Sequence, residues 1–178
     1  MLGIVFTSLV EMLEEKISPE FADDVIEEAN LETGGVFTAV GYYPFSEMEK
    51  LVTVLVDKTG KSANELLYDF GQYLFSRLAE AHGDVIANKG NIFDVLESLD
   101  GDIHVQVKKL YSDADLPEFK VLSQNQTSMK IRYISKHELY ALAEGLIDAT
   151  AAHFGTPIKR ETLPTNLPHT FDFVITKE

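Results

Sequence analysis

Apolar residues recur every three to four positions through the first two thirds of the chain, which is the period of amphipathic α-helices. Ser18 followed by Pro19 is typical of a helix start, with the hydroxyl as N-cap and the proline in the first turn. Capping boxes, in which a hydroxyl residue precedes a glutamate by three positions, are predicted at Ser46/Glu49, Ser62/Glu65 and Ser135/Glu138. The predicted helices span about 2–17, 18–30, 46–58, 62–82 and 102–111, with a short helix from about 91 and a loop at 83–90.

The character of the chain changes after about residue 115. The stretch "FKVLSQNQTSMKIRYIS" predicts two strands joined by a polar turn at 124–128, and "TPIKRETLP" and "HTFDFVITK" predict two more. A long helix to about Phe154 is predicted between the two pairs. The sequence therefore predicts an α+β fold in one domain over 1–178: a helical lobe at about 1–90, then a histidine-bearing helix and an antiparallel sheet lobe with the long helix at about 91–178.

Charge and composition narrow the function. The 178 residues are 45% hydrophobic and carry a net charge of −14, so the surface repels the phosphates of nucleic acids and anionic membranes, and a basic protein partner is favoured. The absence of cysteine excludes disulfides, thiolate chemistry and cysteine zinc sites. We expect a cytoplasmic protein, because the N-terminal segment lacks the features of a signal peptide and no apolar run approaches the roughly 18 residues of a membrane span.

Few motifs indicate catalysis. The "KTGKS" stretch at 58–62 lacks the upstream glycine of a phosphate-binding loop, since that position is Leu55. No nucleophile with an adjacent base is indicated, so no enzymatic activity is predicted. Asp100, Asp102 and His104 form a D-x-D-x-H pattern that could offer oxygen and nitrogen ligands to a metal, but aspartates in a first helical turn commonly cap N–H groups. His104 itself lies beside an apolar stripe, where it is either a hydrogen-bonded boundary residue or a ligand.

Four motifs in order resemble one family. The opening "MLGIVF", the helix "KTGKSANELLYDFGQYLF", the segment "DIHVQVKKLYSDADLPEF" and the "YISKHELYALAEGLIDA" stretch are similar to those of the haem nitric oxide/oxygen-binding (H-NOX or HNOB) domains, in particular the stand-alone bacterial members. The resemblance extends nearly end to end. It implies a haem cavity between the helical lobe and the sheet lobe.

The resemblance also implies roles for individual residues. His104 would be the axial ligand of the iron of haem b (iron protoporphyrin IX), because a neutral imidazole in an apolar pocket suits five-coordinate ferrous haem. Tyr133 and Ser135 match the first two members of the Y-x-S-x-R motif, which holds the two haem propionates. If Ser135 is also an N-cap, the helix N-terminus adds a site for these anions. The haem pocket would be lined by Val5, Leu9, Leu74, Pro117, Leu142 and Leu146, with Pro117 pressing on the porphyrin from the histidine side.

The chain departs from the family pattern at three points. The arginine position of the motif is His137, which cannot grip a carboxylate bidentately, although Lys136 could add a point charge. Oxygen-binding members carry a distal tyrosine where this chain has Leu142, so we predict a nitric oxide sensor that excludes oxygen. Because there are no cysteines, we expect no zinc cluster.

The resemblance implies that the domain passes its signal to a separate partner protein. By the resemblance, nitric oxide bound opposite His104 weakens the iron–histidine bond, and the histidine helix loses a tether. The readout would lie in a separate protein such as a histidine kinase or a cyclic-di-GMP enzyme (a diguanylate cyclase or phosphodiesterase). Two alternatives remain open: a haem-free interaction or apolar-ligand-binding module of the same fold, and a metal-dependent enzyme at the D-x-D-x-H pattern.

Overall fold

The N-terminal half is helical, and its helix starts follow local hydrogen-bonding rules. Ser18 accepts a hydrogen bond from the N–H of Phe21 (3.1 Å), and Ser62 and Glu65 form the reciprocal bonds of a capping box. The box predicted at Ser46 is wrong: that helix begins one residue earlier, after Pro44, without a side-chain cap. The computed structural model describes residues 1–178, and its first four helices are α1 (Gly3–Lys16), α2 (Pro19–Ala29), α3 (Phe45–Thr59) and α4 (Ala63–Ala81).

The middle of the chain differs from the prediction in two places. The segment predicted as a loop at 83–90 contains a short helix, and the helix predicted to start at about residue 102 is preceded by a π turn. The N–H of His104 donates to the carbonyl of Leu99, the five-residue spacing that defines such a turn. The elements are α5 (Gly83–Ala87), α6 (Ile92–Ser98), the π turn (Leu99–Ile103) and α7 (His104–Leu110).

The C-terminal part forms the predicted antiparallel sheet with a long helix. The polar turn at 124–128 is confirmed, and Asn125 Oδ1 accepts hydrogen bonds from the N–H groups of Thr127 and Ser128. The capping box at Ser135/Glu138 is wrong, because the helix begins at Tyr140 and Glu138 has a left-handed φ of 50°. The elements are β1 (Glu118–Gln124), β2 (Ser128–Ile134), α8 (Tyr140–His153), β3 (Ile158–Pro164) and β4 (Thr170–Lys177), in the sheet order β1-β2-β4-β3.

Two hydrophobic cores meet along α8. The first lies among α1–α4 and includes Leu142; the second lies between the sheet and helices α6 and α8 and includes Ala143 and Ile147. Helix α8 thus contributes to both cores from adjacent positions. It packs closely on α4 at Gly71 and Gly145. The two helices approach so closely there that a Cβ at either glycine would overlap the backbone of the other helix. The α+β architecture predicted from the sequence is confirmed. No helix is both long and apolar enough to span a membrane.

Candidate functional site

His104 is the first residue of α7 and is mostly buried. Its side chain is 16% exposed, and its ring lies 5.9 Å from the ring of Phe119 on β1. Nδ1 is 3.1 Å from Oδ1 of Asp100, one turn earlier on the same face. Burial lowers the pKa of His104, while the hydrogen bond to Asp100 and the nearby carbonyl of Pro117 oppose that shift. The imidazole is therefore held in its neutral form near pH 7.

The two aspartates of the D-x-D-x-H pattern diverge. Asp100 contacts His104, whereas Asp102 accepts hydrogen bonds from Gln106 (2.6 Å) and Lys89 (3.0 Å). No group of three His, Asp or Glu side chains converges on one point where it could hold a metal ion, either here or elsewhere in the chain. The structure gives no support to a mononuclear carboxylate–histidine metal centre at this pattern.

Five of the six predicted pocket residues lie in or against the first core, and Pro117 lies outside it. Leu9, Leu74 and Leu142 are buried in the first core, and Val5 and Leu146 are partly buried against it. Pro117 lies immediately before β1, on the sheet side with His104. Helices α1, α4 and α8 therefore supply an apolar wall, and α7 with β1 supplies the histidine side.

Two surface crevices lie away from the histidine. One, of about 620 Å³, runs between α1, α3 and α4, and Leu9 is among its lining residues. The other, of about 550 Å³, lies between α8 and β3 beside Asp148 and Arg160. His104 lines neither crevice, so neither of them is the predicted haem site.

The predicted propionate residues lie at the end of β2, which contains Tyr133, and in the segment that follows it. Tyr133 is 2% exposed, and burial raises the pKa of its phenol, while the hydroxyl of Ser135 lies within hydrogen-bonding range and opposes that shift. The N–H of His137 faces the Ser135 oxygen at 3.4 Å. Because α8 starts only at Tyr140, Ser135 does not cap it, and the anion site expected at a helix N-terminus is not formed by this residue.

His137 and Lys136 share one carboxylate. Asp115 Oδ2 is 2.7 Å from Lys136 Nζ and 3.1 Å from His137 Nε2, and these contacts, with that to Lys136 the stronger, lower the pKa of Asp115. The His137 ring stacks on Phe45 at a centroid distance of 3.9 Å. The two side chains expected to face a propionate therefore already contact a carboxylate of the protein itself.

Asp115, Phe45 and Phe119 belong to the site but were missed in the sequence. Phe45 and His137 are 92 positions apart, and Asp115 lies in the loop between α7 and β1, so no periodicity links them. Phe119 carried a usable signal, because it follows Pro117 within the motif around the histidine. Its N–H donates to Asp100 Oδ2 at 2.8 Å, which joins β1 to the π turn.

Comparisons with known proteins identify the family and the fold of the chain. The family model described as haem-NO-binding (HNOB) matches residues 2–162. The chain belongs to the HNOB family. A search of curated proteins found no match.

Solved H-NOX structures share the fold of this HNOB domain over its whole length. The Fe(II) unliganded H-NOX protein from K. algicida is 31% identical, with a TM-score of 0.93 over 100% of this chain and 97% of that one. The S. oneidensis H-NOX protein in the Fe(II)NO state is 24% identical, with a TM-score of 0.92 over 100% and 99%. An oxygen-binding H-NOX domain related to soluble guanylate cyclases, solved as its oxygen complex, is 19% identical, with a TM-score of 0.84 over 100% and 95%.

The donor groups of this HNOB domain suit haem, the group named in its family description. Asp100 occupies Nδ1 of His104, so Nε2 is the nitrogen that could coordinate iron, as in metal sites where a carboxylate orients the ligating histidine. Tyr133, Ser135, Lys136 and His137 carry hydrogen-bond donors of the kind that bind carboxylates. The residues present therefore fit an iron porphyrin with acidic side groups.

Proposed function

We propose that this HNOB domain is a haem-based gas sensor in which His104 is the axial ligand of ferrous haem b and nitric oxide is the signal. The observation that carries the proposal is the contact of His104 Nδ1 with Asp100 Oδ1 at 3.1 Å. Burial lowers the pKa of His104, which favours the neutral imidazole, and Nε2 would be the nitrogen that binds iron. When bound, haem supplies the iron centre at which a diatomic gas binds.

The second part of the proposal concerns how the chain holds the haem carboxylates. Tyr133 and Ser135 would donate hydroxyl hydrogen bonds, Lys136 would supply a positive charge, and the His137 ring would donate an N–H hydrogen bond. Asp115 contacts both Lys136 and His137, so a haem carboxylate has to displace or share these contacts. A histidine also lacks the bidentate fork of arginine, and we therefore expect a weaker grip on haem than arginine at this position would give.

The apolar wall supports the choice of gas. Leu9, Leu74 and Leu142 carry no hydrogen-bond donor, so a polar oxygen adduct would gain no stabilising contact from them, whereas nitric oxide binds ferrous haem without such help. The S. oneidensis protein described in its Fe(II)NO state is 24% identical and supports only the fold. The relative described as an oxygen complex is only 19% identical and supports the fold alone.

The output would pass to a separate protein. His104 begins α7, so a change in what its imidazole binds acts directly on the first turn of that helix. We propose a histidine kinase or a cyclic-di-GMP enzyme as the partner, and a sensory and not a catalytic role for this chain. The net charge of −14 favours a basic docking face on that partner.

Absorbance spectra test the proposal. Protein produced with sufficient haem should show a ferrous Soret band that shifts when nitric oxide is titrated in. His104→Ala should lose that spectrum, and external imidazole should restore part of it. His169→Ala is the matched control, because His169 is exposed and pairs with Glu138 on the surface. A Soret band that is unaffected by nitric oxide, or by loss of His104, would rule the proposal out.

A haem-free module is a second candidate, and one observation favours it. Asp115 already contacts both side chains expected at the propionates, Lys136 by an ion pair and His137 at 3.1 Å, so the fold gives them a partner without a cofactor. Haem stoichiometry separates the two functions: about one haem per chain after reconstitution supports the sensor, and a chain that binds none while remaining folded supports the haem-free module.

A further inference from the structure

The π turn before His104 brings an acidic side chain and a strand to the same histidine. π turns are rare and often mark functional positions, and this one, at 99–103, leads directly into α7. Asp100 lies within it, and its side chain is about one-third exposed. The turn therefore places a carboxylate next to the imidazole at the point where the helix register changes.

Both oxygens of Asp100 have a partner. Oδ2 accepts the backbone N–H of Phe119 at 2.8 Å, and Oδ1 lies 3.1 Å from Nδ1 of His104. A backbone N–H only donates, so the contact with Phe119 keeps the carboxylate in place. An ionised carboxylate only accepts, so Nδ1 of the histidine must carry the proton, and the lone pair is on Nε2.

We propose that Asp100 is the positioning residue for the axial histidine and that it links His104 to the first strand of the sheet through the N–H of Phe119. The inference rests on the proposed function. It adds that the tautomer and orientation of His104, and hence the strength of its bond to iron, depend on this carboxylate in addition to the nearby carbonyl of Pro117. It also adds a mechanical link, because β1 and α7 share the carboxylate.

The neighbourhood of Phe119 extends the link into the sheet. Its ring lies between His104 (5.9 Å between centroids) and Tyr133 (5.4 Å), and Phe119 pairs with Tyr133 across β1 and β2. Through Phe119 on β1, Asp100 thus connects the histidine side of the site to β2, the strand that contains Tyr133. A shift of β1 changes the position of the group that holds His104.

Asp102 provides a control within the same turn. It has the same charge and lies two residues away, but its oxygens bind Gln106 and Lys89 and not the histidine. Replacing Asp102 removes an equal charge at a similar distance in sequence. An effect specific to Asp100 therefore reports the contact and not the local charge.

The first test uses the haem-free protein. Nitrogen-15 spectra of the imidazole at pH 7.5 should show the Nδ1-protonated tautomer of His104 in wild type and in Asp102→Asn. Asp100→Asn and Asp100→Ala should change to the Nε2-protonated tautomer or a mixture. Asp100→Asn is the informative variant if Asp100→Ala is poorly folded, because asparagine keeps the size and an accepting oxygen for Phe119. The same tautomer in wild type and both Asp100 variants would overturn the inference.

The second test uses the haem-loaded protein. The iron–histidine stretching band of the ferrous protein should move to lower frequency in Asp100→Asn, and haem affinity should fall about 10–100-fold, the usual cost of losing the partner of a ligating histidine. Asp102→Asn should keep the wild-type band and affinity. If His104→Ala gives the same haem spectrum as wild type, the proposed function and the inference are overturned together. A normal His104-dependent spectrum with an unchanged band in Asp100→Asn would overturn the inference alone.

Discussion

Asp172 on β4 accepts two hydrogen bonds from the guanidinium of Arg132 on the neighbouring strand, at 2.7 and 3.0 Å. Asp172 lies on the sheet face opposite Phe171 and Phe173, yet it is only 4% exposed. Lys130 adds a third contact at 3.1 Å. A carboxylate on the outer face of the sheet is therefore buried by the cations beside it.

This arrangement predicts an acid-sensitive contribution to stability. The hydrogen bond from Arg132, with a smaller contribution from Lys130, lowers the pKa of Asp172 from its usual 3.8. The unfolded chain thus binds a proton before the folded chain does, so the contribution is complete above about pH 4 and is lost as the pH falls through the lowered pKa. Arg132→Met should reduce the free energy of unfolding at pH 7 and flatten its decrease between about pH 4 and 2. Urea unfolding at several pH values measures both effects.

An exposed pair on the same sheet is the control. Lys120 and Glu118 lie 3.1 Å apart, but both side chains are more than half exposed, so Lys120→Met should change stability little. A pH profile for Arg132→Met that parallels that of wild type would contradict the role given to the buried pair.

Gly71→Ala should destabilise the contact between α4 and α8. A methyl group there would overlap the carbonyl oxygen of Leu142, which is backbone and cannot rotate away. We expect a loss of about 1–3 kcal/mol in the free energy of unfolding, the usual cost of overpacking. Gly83→Ala is the control, because nothing lies within 4 Å of a Cβ at Gly83. Thermal denaturation followed by circular dichroism should show a lower midpoint for Gly71→Ala only.

His137→Arg should strengthen haem retention. Arginine keeps its charge at all working pH values and can grip a carboxylate with two N–H groups. We expect haem transfer to apomyoglobin to slow by about tenfold, as for one added charge-assisted hydrogen bond of about 1.5 kcal/mol. His169→Arg adds the same side chain at an exposed position and should leave the rate unchanged.

Asp115 limits this gain. If it pairs with the new arginine as it does with His137, the single variant will retain haem no better than wild type, and His137→Arg combined with Asp115→Asn should then slow the transfer. Equal transfer rates for wild type, the single variant and the double variant would show that this side chain does not face the haem carboxylates.

Leu142→Tyr should allow oxygen to bind. Leu142 belongs to the apolar wall and is 9% exposed, so a hydroxyl introduced there would be an isolated donor in an apolar space. We expect the ferrous variant to form a stable oxygen spectrum in air, which wild type should not form. Leu142→Phe tests the ring without the hydroxyl and should behave as wild type. A stable oxygen spectrum in Leu142→Phe or in wild type would show that the hydroxyl does not determine whether oxygen binds.

Sequence patterns predicted the elements well where a local rule applies. The capping box at Ser62 and the start of α2 at Pro19 depend on residues within one helical turn, and both are confirmed. The residues at Ser46/Glu49 and Ser135/Glu138 have the same capping-box pattern, but neither box forms. Helix α3 begins at Phe45 and helix α8 begins at Tyr140, so neither serine is in the N-cap position. The pattern is necessary for the bond, but the surrounding chain decides where the first turn lies.

The candidate site shows the same division. The sequence singled out His104, and its spacing placed Asp100 one helical turn earlier on the same face, but no spacing linked Asp100 to Phe119 or Asp102 to Lys89. Their roles differ because the π turn sends Asp100 toward Phe119 and Asp102 toward Lys89. Asp115 was not predicted, since its contact with His137 joins residues 22 positions apart.

The sequence by itself determined the order of helices and strands, the α+β class and the resemblance to the HNOB family, because periodicity, caps and motifs are properties of neighbouring residues. Only the tertiary structure decided which oxygen binds His104 Nδ1, which anion faces His137 and how a carboxylate on the outer sheet face becomes buried. These contacts join separate elements, and their distances depend on how the cores pack α8 against α4 and the sheet, which no local pattern specifies.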